Sequence, residues 1–100
     1  MIYHIVLPDS WEEQKGLDHY EHESLRTEGF IHCSYGGQLD AVLERYYSQA
    51  KRVLILHIDP ELLTSNLVEE ASTGGEIYPH IYGRINRGAI VEISEKTGIV

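Results

Sequence analysis

The chain has 100 residues, enough for one hydrophobic core and too few for two. At 42% hydrophobic and 24% charged it lies outside the disordered regime, and its net charge of −8 argues against DNA, RNA and anionic membranes, whose binding rests on neutralising phosphates. One cysteine rules out an internal disulfide or a cysteine-rich zinc site, and seven tyrosines against one phenylalanine point to half-buried sites or a cleft.

Residues 2–7 (IYHIVL) are β-branched and apolar and predict a strand. Met1 runs into it without a charged-then-apolar leader, and no stretch reaches the length of a membrane span, so the expectation is a reduced, cytoplasmic protein. Pro8 ends the strand. Asp9 or Ser10 is then placed to cap a short helix carrying Trp11, Glu12 and Glu13 in its first turn. Residues 16–28 are polar and read as a loop or one irregular turn anchored by Leu17, Tyr20 and Leu25, with His19 and His22 solvated. Residues 29–34 (GFIHCS) predict a second strand, broken by YGG. In residues 38–50, Leu39, Val42, Leu43 and Tyr46 recur at the i, i+3, i+4, i+7 spacing of an amphipathic helix. Residues 52–58 (RVLILHI) predict a central strand buried on both faces, with His57 packed in the core. Asp59-Pro60 ends that strand, and a single turn fits the residues after it. Residues 66–71 (NLVEEA) predict a short strand, residues 72–76 a surface loop, and residues 89–94 (AIVEIS) a last strand with Glu92 outward. The order gives one α+β domain over 1–100, with mixed or mainly antiparallel sheets and about two helices. No Gly-rich loop joins a strand to a helix, which excludes a Rossmann unit or P-loop. Arg84 and Arg87 form the one local basic patch.

Two segments hold the chemistry. Alternation puts Phe30, His32 and Ser34 on one face of GFIHCS and Ile31 with Cys33 on the other, so His32 and Cys33 do not form a dyad and Cys33 is a small buried hydrophobe. Extended YPHIYG likewise puts Tyr78, His80 and Tyr82 on one face, while Gly83 permits a bend or the close approach of a ligand. Such an aromatic slot with an imidazole suits a nucleobase or nicotinamide. A proline-containing loop whose tyrosines cover the core edge is the other reading. His4 faces the core or a pocket, and Glu69, Glu70 and Glu76 are candidate carboxylate partners. No metal-ligand spacing is present.

Over nearly its whole length the chain resembles the bacterial domain of unknown function 952. The shared features are Tyr3-His4-Ile5, Trp11, the run from Ser24 to Ser34, Gln38, Ile58 to Pro60, Glu70, and Tyr78 to Gly83. The resemblance implies an ADP-ribosyltransferase-like fold, shared with RNA 2′-phosphotransferases, that holds NAD in a cleft between two small sheets. It would place His4 near the early-strand histidine of those enzymes, His32 and Ser34 on the second strand, His80 as the late polar residue and Glu70 as its carboxylate partner. The late glutamate of many such transferases has no equivalent here, and Arg84 stands where the family favours proline.

The expectation is therefore a protein that recognises NAD or another nucleotide and acts as an ADP-ribosyl- or phosphotransferase. His32, His80 and Glu70 would be catalytic, and His4, Ser34, Tyr78, Tyr82 and Gly83 would bind substrate. It would need no cofactor beyond NAD as substrate, and would be a monomer or weak homodimer. A non-catalytic small-molecule module and a protein-interaction domain remain as alternatives.

Overall fold

The computed structural model describes residues 1–72 and 74–97. Among the described residues eight strands appear in chain order: β1 (Ile2–Val6), β2 (His19–Tyr20), β3 (Ile31–His32), β4 (Arg52–Ile58), β5 (Asn66–Ala71), β6 (Ile77–Tyr82), β7 (Ile85–Asn86) and β8 (Ile90–Thr97). The helices are α1 (Pro8–Glu12), α2 (Ser24–Thr27) and α3 (Leu39–Tyr47), with short 3-10 turns at Gly36–Gln38, Pro60–Leu62 and Arg87–Ala89. All strand pairs are antiparallel. They form sheets in the orders β1-β4-β8 and β3-β6-β5, with β2-β7 as a separate pair. This is the expected α+β class with three short helices rather than two. Among the described residues no helix is long and apolar enough to cross a membrane.

β4 is central, as its apolar run predicts. Val53 and Ile55 pack with Ile5 and Leu43 beneath α3, while Leu56 and Ile58 join Ile2, Val6, Tyr20, Ile31, Ile81 and Ile85 on the other side. Each such side chain contributes roughly 1.5–3 kcal/mol on burial. The two three-stranded sheets are stitched where β1 meets the chain leaving β3. Tyr3 N–H donates to Ser34 O at 2.9 Å, and Ser34 N–H returns the bond to Tyr3 O at 2.8 Å.

Five local expectations are corrected. Helix α1 starts at Pro8 with Leu7 as its cap, not at Asp9 or Ser10, because proline's fixed φ and missing N–H suit the first helical position. The polar stretch 16–28 contains β2 and α2, held by Tyr20, whose ring is completely buried. The buried stripe of α3 runs through Leu39, Val42, Leu43 and Tyr47, while Tyr46 is 68% exposed. The helix turns Tyr47, at i+4 from Leu43, onto the core face instead. His57 is half-buried rather than core, bonding Ser94 Oγ through Nε2 at 2.8 Å with its ring edge-on to Tyr3. Arg87 is no free cation beside Arg84. It donates from Nε to Leu17 O (3.0 Å) and from Nη2 to Gln14 O (2.6 Å), with its guanidinium 4.3 Å from the Trp11 ring centre. It thereby ties α1 and its following loop to the body of the protein.

Gly83 ends β6 at φ +155°, and a Cβ there would lie 2.8 Å from Ser65 Cβ and against Ser65 Oγ. That hydroxyl donates to Arg84 O at 2.6 Å, so it is not free to retreat. Gly83→Ala is expected to lower the unfolding free energy by roughly 1–3 kcal/mol in urea titration, with part of the loss recovered in Gly83→Ala/Ser65→Gly. Equal stability of Gly83→Ala and the parent would show that this contact is not limiting.

Candidate functional site

The chemistry gathers on one face of the β3-β6-β5 sheet and on the wall that β1 and α3 raise beside it. Register puts His32 opposite His80 and Glu70 opposite Tyr78. Strand alternation then lines up Phe30, His32 and Ser34 with Tyr82, His80 and Tyr78. Both segments are extended, as the slot reading required.

His80, 9% exposed, is the most constrained of these residues. Phe30 stacks on its ring with centroids 4.1 Å apart and planes 17° from parallel. Its Nδ1 donates to Glu70 Oε1 at 2.9 Å, and the Tyr82 hydroxyl donates to the same oxygen at 2.6 Å. The Tyr82 hydroxyl, then His80, hold the Glu70 carboxyl below the usual carboxylate range. With Nδ1 committed to Glu70, Nε2 is the ring nitrogen of His80 left for another partner. His32 meets His80 edge-on at 5.3 Å and bonds Glu28 Oε2 through Nε2 at 2.9 Å, half-exposed at the rim. Of the three candidate carboxylates, only Glu70 meets a histidine. Glu69 accepts from the Tyr35 hydroxyl, and Glu76 from the Gln38 amide at 2.8 Å.

His4 lines the cleft as a brace. Its Nδ1 donates to His32 O at 2.7 Å, and burial holds the ring neutral with its pKa pushed down to about 3. Nε2 must then accept, and it takes the Tyr20 hydroxyl at 2.9 Å. Both nitrogens are spent, so His4 has no hydrogen bond to offer a substrate, contrary to the sequence expectation.

His22, expected to be solvated, is half-buried in the cleft, meeting the His4 ring edge-on with centroids 5.2 Å apart. Ser24 N–H donates to His22 Nδ1 at 3.1 Å, and Ser24 Oγ lies 2.9 Å from the same atom. The proton therefore resides on Nε2. Burial, then His32, lowers the His22 pKa, so the ring is a neutral donor. The signal was in the sequence as His-Glu-Ser before an apolar residue, where a side chain two residues back can serve the first N–H of a helix.

The cavity so enclosed is about 700 Å³. Tyr3, His4 and Ile5 of β1 line one side, with Val42, Arg45, Tyr46 and Tyr47 of α3. His22, Glu28, Phe30, His32, Ser34, Ala71, Ser72, Tyr78 and His80 complete it. Arg45, its one arginine, went unread because it sits on the flank of the helical stripe. Glu70 and Tyr82 stand behind His80 rather than at the lining, and Gly83 packs on Ser65 instead of approaching the cleft. Cys33 lies on the opposite face, where burial pushes its thiol pKa far up. Among the described residues, no three histidine, cysteine or carboxylate side chains come together to hold a metal ion.

These features define a small α+β domain in which two antiparallel sheets meet beside a histidine- and tyrosine-lined cleft. Residues 5–93 match the family described as "Protein of unknown function (DUF952)", and the chain belongs to that family. It is similar to CC0527 from Caulobacter crescentus. The crystal structure of that protein is 28% identical with a TM-score of 0.81, the match covering 94% of this chain and 83% of that one. The solution NMR structure gives 26% identity and a TM-score of 0.73, covering 93% and 81%. Among proteins with curated descriptions, none matches the chain.

The buried imidazole makes stability pH-dependent with a definite sign. Unfolded, His4 takes a proton near the ordinary value of 6.5, and folded only near 3, so its contribution is complete above the former and is lost as pH falls between them. The slope reaches up to about 1.4 kcal/mol per pH unit. His22 acts with the same sign. Urea midpoints are expected to fall from about pH 7 to about pH 5, and His4→Gln, though less stable throughout, to show a shallower fall. Parallel profiles for the two proteins would contradict this.

Proposed function

We propose that the cleft recognises a nucleotide of the NAD class and acts on it as an ADP-ribosyl- or phosphotransferase. The observation that carries this reading is His80, clamped between Phe30 and Glu70 with Nδ1 committed to the carboxylate, so that Nε2 is the ring nitrogen left for a ligand in a cavity lined with aromatic rings. A cavity of about 700 Å³ is of the size that small ligands and cofactors occupy. Tyr3, Tyr47 and Tyr78 offer flat faces to a base, and Arg45 offers a cation to phosphate oxygens. The family resemblance supplies the NAD expectation.

In the transferase reading, an acceptor hydroxyl gives its proton to His80 Nε2 as its oxygen bonds to ribose C1′. The glycosidic bond breaks with its electron pair going to the ring nitrogen of nicotinamide, which departs neutral. Glu70 stabilises the imidazolium so formed. General-base help of this kind is worth about 10²–10⁴ in rate. His22, holding its proton on Nε2, offers a donor to a ribose hydroxyl or carboxamide oxygen. Imidazoles from β1, β3, β6 and the β2–α2 connection cluster within one cavity, which speaks against the protein-interaction alternative, in which they would lie apart.

The test is isothermal titration with NAD⁺ paired with an assay of nicotinamide release. Saturable binding is expected in the parent protein, weakened at least about tenfold in His80→Ala and less in His32→Ala. Glu70→Gln is expected to retain binding while release falls by about 10²-fold. Binding without release in the parent would establish the non-catalytic module, and no heat at millimolar NAD⁺ with folded protein would overturn the reading.

A further inference from the structure

The opposite end of the first sheet carries an inference independent of the cleft. β4 pairs with one side of β8 from Arg52↔Thr97 to Ile58↔Ile90, and among the described residues no strand covers the other side. An unpaired edge of this length is a template for another strand. Val91 (49% exposed) and Ile93 (45%) add apolar surface along it. The register steps from His57↔Glu92 to Ile58↔Ile90, so Val91 is the extra residue of a bulge and the regular edge begins at Glu92.

We propose that two copies of this chain pair through β8, antiparallel about a two-fold axis at Ser94, to make one six-stranded sheet. Charge selects that register. A two-fold axis perpendicular to the sheet keeps each face on its own side, so every residue meets one of the same parity. An axis at Glu92, Glu95 or Lys96 would set that charge against its own copy, which is unfavourable. An axis at Ile93 matches that residue with itself but leaves Glu92 against serine and Lys96 beyond the regular edge. At Ser94, each Glu92 faces the other copy's Lys96, giving two equivalent ion pairs. Ile93 then lies beside Glu95, whose carboxylate is already held by Arg52 of its own chain at 3.5 Å.

So short a regular edge belongs to the small, weak class of interface, so dissociation in the micromolar range or above is expected. β1 closes the other end of the sheet order, next to the cleft, so pairing through β8 leaves both clefts open.

Sedimentation equilibrium of the full chain across a concentration series tests the proposal. A reversible monomer–dimer equilibrium is expected. Lys96→Glu and Glu92→Lys should each weaken it at least about tenfold, and the charge-exchanged Glu92→Lys/Lys96→Glu should return to within about threefold of the parent. Both exchanged positions, Glu92 and Lys96, are exposed, and circular dichroism is to check that each variant is folded. A parent that stays monomeric to millimolar concentration would overturn the proposal. So would a dimer indifferent to Lys96→Glu, or a double exchange that fails to restore association.

Discussion

His4 donates one ring nitrogen to the carbonyl of His32 and accepts the Tyr20 hydroxyl on the other, in a place with too little water to substitute for either bond. These two bonds join β1, β2 and β3. They run beside the backbone bridge between Tyr3 and Ser34 that stitches the sheets together. A leucine would fill the same space but leave a buried carbonyl and a buried phenol without partners, each at a cost of about 1–3 kcal/mol. Imidazole is the side chain that offers one donor and one acceptor on opposite sides of a flat ring, provided it stays neutral. Burial enforces that condition.

The same logic extends outward with a different result. His80 shares one hydrogen-bonding edge with Glu70 and keeps the other, and His22 is fixed in the complementary sense by Ser24. Three histidines are thus each oriented by a fixed partner, a carbonyl, a carboxylate and a serine. The cleft presents a pattern of donors and acceptors determined before any ligand arrives, which is the condition under which polar groups discriminate and position.

Long-period features were legible in the sequence, and features that depend on a single distant partner were not. The continuous apolar run of residues 52–58 announced a central strand, and alternation in GFIHCS and YPHIYG put the correct side chains on a common face. Tyr46 and Tyr47 are adjacent, and a pattern of period 3.6 accommodates either, so only the packed helix decides between them. His22 was hidden for another reason, although Tyr20 was legible as an anchor of its loop. Among charged neighbours His22 reads as a loop residue, and its partial burial comes from packing beside His4, far away in the chain. Glu70 could be singled out from Glu69 and Glu76 by family resemblance, but the distinction is physical only once β5 pairs with β6 and turns alternate carboxylates to opposite faces.

Cys33 occupies the far side of the strand that carries His32, fully enclosed among Ile31, Ile81 and their neighbours, and it is the chain's one thiol. A thiol reacts as its thiolate, and burial disfavours that form. Alkylating reagents can therefore reach it only when the core itself opens, not when the cleft or a loop fluctuates. The modification rate at low reagent concentration would then register how often the whole body comes apart. The protein carries its own clock for that event.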